Sequence, residues 1–122
     1  MSLTALLLVA AGGAIGSVAR AIAGYLIPAG RLPWATIAVN IAGSLLIGAL
    51  VARFANLNAS ESARAHNFWI VGVCGGFTTF SSFSWQTFEQ AQKGNWIAAG
   101  ANVVLSVVLC LAATWLGWRL AR

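Results

Sequence analysis

The sequence predicts an all-α membrane protein of four transmembrane helices, with 1–122 forming a single domain. Composition, the spacing of charges and chain length each point that way. Of 122 residues, 60% are apolar even with the 13 glycines left out of that count, and only 7% are charged. A soluble domain averages about 25% charged residues, so this chain lacks the means to build a water-facing shell. The seven basic and two acidic residues divide the chain like a ruler. Met1–Ala19, Leu32–Ala52, Ala65–Phe88 and Gly94–Trp118 are each free of charge over about 19–25 residues. A helix needs roughly 20 apolar residues to cross ~30 Å of hydrocarbon. The spans are placed at about 3–27, 33–53, 66–89 and 96–120, and the remainder is too short for an extramembrane domain.

The first span, about 3–27, lacks a basic leader and runs into Arg20, so it reads as a span rather than a cleaved signal. Gly12 and Gly16 stand four apart, a spacing that lets helix backbones approach closely in lipid. Packing within the bundle and packing between subunits both account for it. Arg20 lies one turn beyond. It either snorkels to the interface or sits at the mouth of an anion path, where its charge raises the local anion concentration. Pro28, Gly30 and Pro33 close the first loop, and Trp34 reads as an interfacial anchor.

In the second span, Thr36 and Asn40 lie one turn apart and share a face. A lone intramembrane asparagine needs a partner, met either by an interhelical hydrogen bond or by a role on a polar path. The polar stretch from about Arg53 to Asn67 reads as a loop. His66 has no second ligand near it and receives no role.

The third span carries GVCGGFTTFSSFSWQTF, from Gly72 to Phe88. The Gly75–Gly76 pair lowers helix propensity, and the hydroxyls that follow compete for backbone groups. A break is therefore predicted near Gly75–Thr79, freeing carbonyls that are tolerated in a membrane only where they line a cavity or meet an ion. An unbroken, tightly packed helix is the alternative. Phe77, Phe80 and Phe83 recur every three residues, with Thr78, Ser81 and Ser84 on the adjoining face. Phenylalanine rings have positive edges, so a track of edges and hydroxyls can replace an anion's lost water. In the fourth span, Asn102, Ser106, Cys110 and Thr114 recur every four residues as a weakly polar seam, serving either helix contacts or a path. Cys74 and Cys110 show neither disulfide nor metal-site spacing and read as packing residues.

The formal net charge is +5, but the basic residues are scattered at span ends, which suits lipid headgroups and not nucleic acid. Arg53, Arg64, Arg119 and Arg122 fall on one side of the bilayer, against Arg20, Arg31 and Lys93 on the other. So even a division gives little instruction for insertion. It suits an antiparallel, dual-topology homodimer, or equally a monomer oriented by its C-terminal arginines. Four helices fill their own bundle, so a transporter of this size would have to be an oligomer.

At GGFTTFSSFS, together with Asn40, Gly43 and the GGAIGSVAR ending in Arg20, the chain resembles the Fluc/CrcB family of fluoride channels. The likeness extends over nearly the whole length. It implies an antiparallel homodimer in the bacterial inner membrane with two fluoride pores along its interface, letting fluoride leave the cell passively. It further implies a structural sodium ion held by the backbone carbonyls of Gly75 and Thr78. By motif position the pore phenylalanines fall on Phe80 and Phe83, the pore asparagine on Asn40 with Thr36 before it, and the hydroxyl track on Thr79, Ser81, Ser82, Ser84 and Ser106. Arg20 takes the vestibule position. The chain departs from the family pattern at Asn102, Cys110 and Gln86, the last standing where a glutamate is common. A small proton-coupled multidrug exporter would need an acid in the membrane core, and both Glu61 and Glu89 belong to loops or their borders. A non-transporting assembly subunit leaves the phenylalanine–hydroxyl alternation without a use. An enzyme would need an acid–base pair, an activated nucleophile or a metal cluster, and the sequence offers none of these.

Overall fold

The computed structural model describes residues 2–122. Three long helices stand where the charge-free stretches place them: α1 (Leu3–Leu26), α2 (Trp34–Phe54) and α6 (Trp96–Ala121). All three are long and apolar enough to cross a membrane. No strand occurs among the described residues. Leu7, Ile15, Val104 and Leu111 are among many large apolar side chains left exposed on these helices, which is stable only in lipid.

The region between α2 and α6 is helical in pieces. A short α3 (Ala59–Ala65) leads into a π-helical segment (His66–Cys74), one further turn, α4 (Gly75–Phe77), and then α5 (Phe80–Gln92). Thr78 and Thr79 between them are extended, with ψ of 160° and 110°. A helix in the stretch expected to be a loop has a visible cause. The Asn58 side chain accepts from the amide of Glu61 at 3.0 Å, so Asn58 and Glu61 occupy the Ncap and N3 positions of a helix start.

The predicted break is present but sits later than the glycine pair. Gly75 and Gly76 stay helical. Gly76 serves proximity: a methyl group on it would lie 3.1 Å from the Cα of Gly13 and 3.1 Å from the amide nitrogen of Ser17. Gly12 faces Gly72 in the same way, with a methyl on Gly72 falling 2.9 Å from the Cα of Gly12. The four-residue spacing on α1 thus meets a four-residue spacing on the broken helix, backbone against backbone, within one chain. A second seam joins α2 to α6, where Gly48 lies on the carbonyl of Thr114 and Gly117 on that of Leu45. The result is two tightly packed pairs, α1 with the π-helical segment and α4, and α2 with α6, with α5 lying against α6.

Because the first seam has no space for a side chain, Gly12→Val should cost about 3 kcal/mol or more. Gly100, whose added methyl would meet nothing, should accept alanine with no loss or a slight gain. Thermal unfolding in detergent, followed by circular dichroism, separates the two outcomes.

Candidate functional site: a groove at the helix break

Leaving a helix strands backbone groups, and inside a membrane each must find another partner. At Thr79 the partner is one side chain from another helix. Asn40, on α2, accepts from the Thr79 amide at 2.7 Å through Oδ1 and donates to the Thr79 carbonyl at 3.1 Å through Nδ2. The carboxamide pairs with this residue as a neighbouring strand would. It uses one lone pair and one proton, leaving Nδ2 a second hydrogen.

The same exchange releases two carbonyls. In a continued helix the Gly75 carbonyl would accept from the amide of residue 79 and the Thr78 carbonyl from that of residue 82. The first amide goes to Asn40. The second goes to Thr79 Oγ1, at 3.1 Å, which caps α5. The Gly76 carbonyl is held differently: Arg20 Nε, from α1, donates to it at 3.1 Å. This half-buried guanidinium also brings positive charge to the C-terminal end of a helical run, where it is electrostatically favoured. Just before the break, the Cys74 carbonyl accepts from both the amide and the hydroxyl of Thr78, each at 2.9 Å, while the Thr78 methyl rests against Gly43.

An open groove of about 490 Å³ runs beside this break. Its wall brings together Asn40, Gly75, Thr78 and Thr79 with Phe80, Phe83 and Ser106, seven of the residues singled out in the sequence. Phe83 is buried against the bundle whereas Phe80 is 77% exposed, their rings 5.2 Å apart and tilted by 48°. Thr79 and Ser106 are buried. The remaining candidates lie off the wall. Thr36 is buried elsewhere on α2. Ser81 is exposed and lies 3.3 Å from Thr79 Oγ1, and Ser82 Oγ accepts from that hydroxyl at 3.0 Å. Ser84 turns back on its own helix to donate to the Phe80 carbonyl at 2.9 Å. Arg20 reaches the break from its far side, through Gly76.

The polar seam on α6 divides in two. Ser106 and Cys110 face the groove, while Asn102 makes a helix-to-helix bond to Thr87 of α5 at 2.8 Å. Thr87 carries no signal in the linear pattern beyond standing four residues after Phe83, the spacing at which a helical threonine reaches back to a carbonyl. The groove wall is apolar apart from hydroxyls, one carboxamide and backbone. Neither Glu61 nor Glu89 reaches it: Glu61 is exposed on α3, and Glu89 pairs with Lys93 at 2.9 Å near the end of α5.

Together the apolar helices and the broken segment define a multi-pass, all-helical membrane protein. A family model described as "CrcB-like protein, Camphor Resistance (CrcB)" matches residues 7–118. The protein named fluoride-specific ion channel FluC of Paramagnetospirillum magneticum is 50% identical over 118 residues, covering 90% of this chain and 89% of the relative. Its namesake in Rhodospirillum rubrum is 50% identical over 120 residues, covering 91% and 89%, and that of Opitutus terrae is 48% identical over 119 residues, covering 91% and 87%. The chain belongs to the CrcB family.

Loss of the Asn40 carboxamide removes two partners at once. Asn40→Ala should therefore destabilise the protein by about 1–3 kcal/mol for each unpaired Thr79 group that water does not reach. Asn40→Asp keeps an acceptor for the amide but sets a carboxylate oxygen against the Thr79 carbonyl, so it should be no less harmful, whereas exposed Ser84→Ala should stay within about 0.5 kcal/mol of the parent. Melting temperatures of the three purified variants check this order.

Proposed function

We propose that this chain is one subunit of a fluoride-selective channel that lets fluoride leave the cell down its gradient. The observation that carries the proposal is the coincidence, on one groove, of the Asn40-held helix break with Phe80, Phe83 and Ser106. Relatives at 48–50% identity, named as fluoride-specific channels, support it.

The groove is half of a path. It is open along one side, and Phe80 stands largely exposed at it. A second copy supplies the other wall. In this reading the run 66–89 is the third of four spans, and two chains of opposite orientation make the dimer, which the even division of basic residues allows. A dehydrated anion moving along the groove meets the spare Nδ2 hydrogen of Asn40, the hydroxyls of Thr79 and Ser106, and the positive edges of Phe80 and Phe83. Ser81 and Thr36 extend the track, Ser84 being turned back on the Phe80 carbonyl, and Arg20 draws anions toward it.

A structural sodium ion fits the break by its donors. The carbonyls of Gly75 and Thr78 have both lost their helical amide partners, both residues lie on the groove wall, and hard oxygen ligands of this kind suit a sodium ion. When bound, the ion supplies fixed positive charge beside the anion path. A proton-coupled exporter lacks its acid on this groove. A purely structural subunit would conduct nothing.

Fluoride efflux from liposomes loaded with potassium fluoride, compared with chloride efflux from matched vesicles, tests the proposal. Fluoride should leave rapidly and chloride at the background rate, and Phe80→Ile should slow fluoride about tenfold, as expected for the loss of ~1.4 kcal/mol of favourable contact. Equal rates for the two anions, or no efflux from folded protein, would refute it.

A further inference from the structure

The seam on α6 continues off the groove into a hydrogen-bond chain whose direction is fixed from one end. Thr87 Oγ1 donates to the Phe83 carbonyl at 2.8 Å. Having given its single proton, that hydroxyl can only accept, and it does so from Asn102 Nδ2 at 2.8 Å. The carboxamide is thereby oriented with its oxygen toward Ser106, whose hydroxyl donates to Asn102 Oδ1 at 3.3 Å. A flipped carboxamide would set two acceptors against each other at Thr87, and Asn102, 0% exposed, has no water to relieve that clash. Ser106 stands on the groove wall, whereas Asn102 and Thr87 do not. Its proton is therefore directed into the protein, and its lone pairs are left for the groove. At 3.3 Å, this is the longest and weakest link of the chain.

We propose that Asn102 is a positioning residue of the pore, accepting the Ser106 hydroxyl's hydrogen bond until that hydroxyl rotates to donate to a passing anion, and accepting it again when the anion moves on. The proposal rests on the channel reading above and specifies how one of its donors works. A conducting site must release what it binds. A donor with a waiting acceptor behind it binds weakly and reversibly, and Thr87 keeps that acceptor in place from outside the groove.

The test is a double-mutant cycle on fluoride flux through reconstituted protein, measured across a range of fluoride concentrations. Thr87→Val removes the group that orients the carboxamide without touching the groove wall. It should free the Ser106 proton and lower the fluoride concentration for half-maximal flux about fivefold, within the range of couplings measured for groups sharing one network. In a Ser106→Ala background the same substitution should change that concentration by less than about twofold. Asn102→Ala, run through the same cycle, gives a second probe should Thr87→Val fold poorly. Equal fold-changes with and without the Ser106 hydroxyl would overturn the proposal, because Thr87 and Asn102 would then act through packing alone. An unchanged half-maximal concentration in both single variants would overturn it too. A parent protein that passes no fluoride would instead overturn the channel reading, and this proposal with it.

Discussion

The two hydrogen bonds between Asn40 and Thr79 make every other feature of the groove possible. A backbone that leaves the helix within a membrane carries polar groups that cost several kcal/mol each when unpaired, so a break survives only where another element completes it. Here a single carboxamide on α2 completes it, at 2.7 and 3.1 Å. Consequences follow on both sides of Thr79. Toward the N-terminus the Gly75 carbonyl loses its amide and Arg20 takes the Gly76 carbonyl. Toward the C-terminus the Thr79 hydroxyl caps α5, which turns Phe80 outward and Phe83 inward. One interaction thus sets the positions of two released carbonyls, an aromatic pair and a row of hydroxyls.

That interaction needs a rigid frame, and glycine supplies it. Lipid tails are as apolar as leucine, so membrane helices gain little by hiding apolar side chains from them and associate instead through close packing. The contact of Gly12 and Gly16 with Gly72 and Gly76 brings α1 against the backbone just before the break, while Gly48 and Gly117 bring α2 against α6. Each pair fixes one side of the groove. With few charges anywhere in the chain, the groove itself is polar only through hydroxyls, a carboxamide and main-chain groups. Such a surface can trade hydrogen bonds with a small anion without trapping it, as a ring of arginines would.

The spans are legible in the sequence because so few residues are charged: Arg20, Arg31, Arg53 and Arg119 mark helix ends to within a turn or two. The break is legible as a region, since glycines and hydroxyls crowd together there. Its position is not, because Gly75–Gly76 carries two signals at once, low helix propensity and close approach, and only the packed α1 reveals that the second governs. The short α3 was hidden in a polar stretch whose Asn58 and Glu61 spell a helix start. Seven candidate residues meet on the groove wall: five of them, Gly75, Thr78, Thr79, Phe80 and Phe83, are neighbours on one chain segment that a single motif specifies, while Asn40 and Ser106 are brought to it by the packing of α2 and α6. Ser84 turns away because its hydroxyl finds the Phe80 carbonyl first. The Asn102–Thr87 link joins residues on two helices with no common period, so nothing in the linear pattern announces it.

Hydrogen–deuterium exchange at the Thr79 amide, in protein held in lipid nanodiscs, tests most directly the claim that Asn40 holds the break. This amide faces an open groove and owes its protection to one side chain. It should exchange slowly in the parent protein and at least about tenfold faster in Asn40→Ala, the equivalent of a lost hydrogen bond of ~1.4 kcal/mol, with amides in the middle of α2 and α6 unchanged. A Thr79 amide that exchanges freely in the parent, or at the same slow rate without Asn40, would contradict the account.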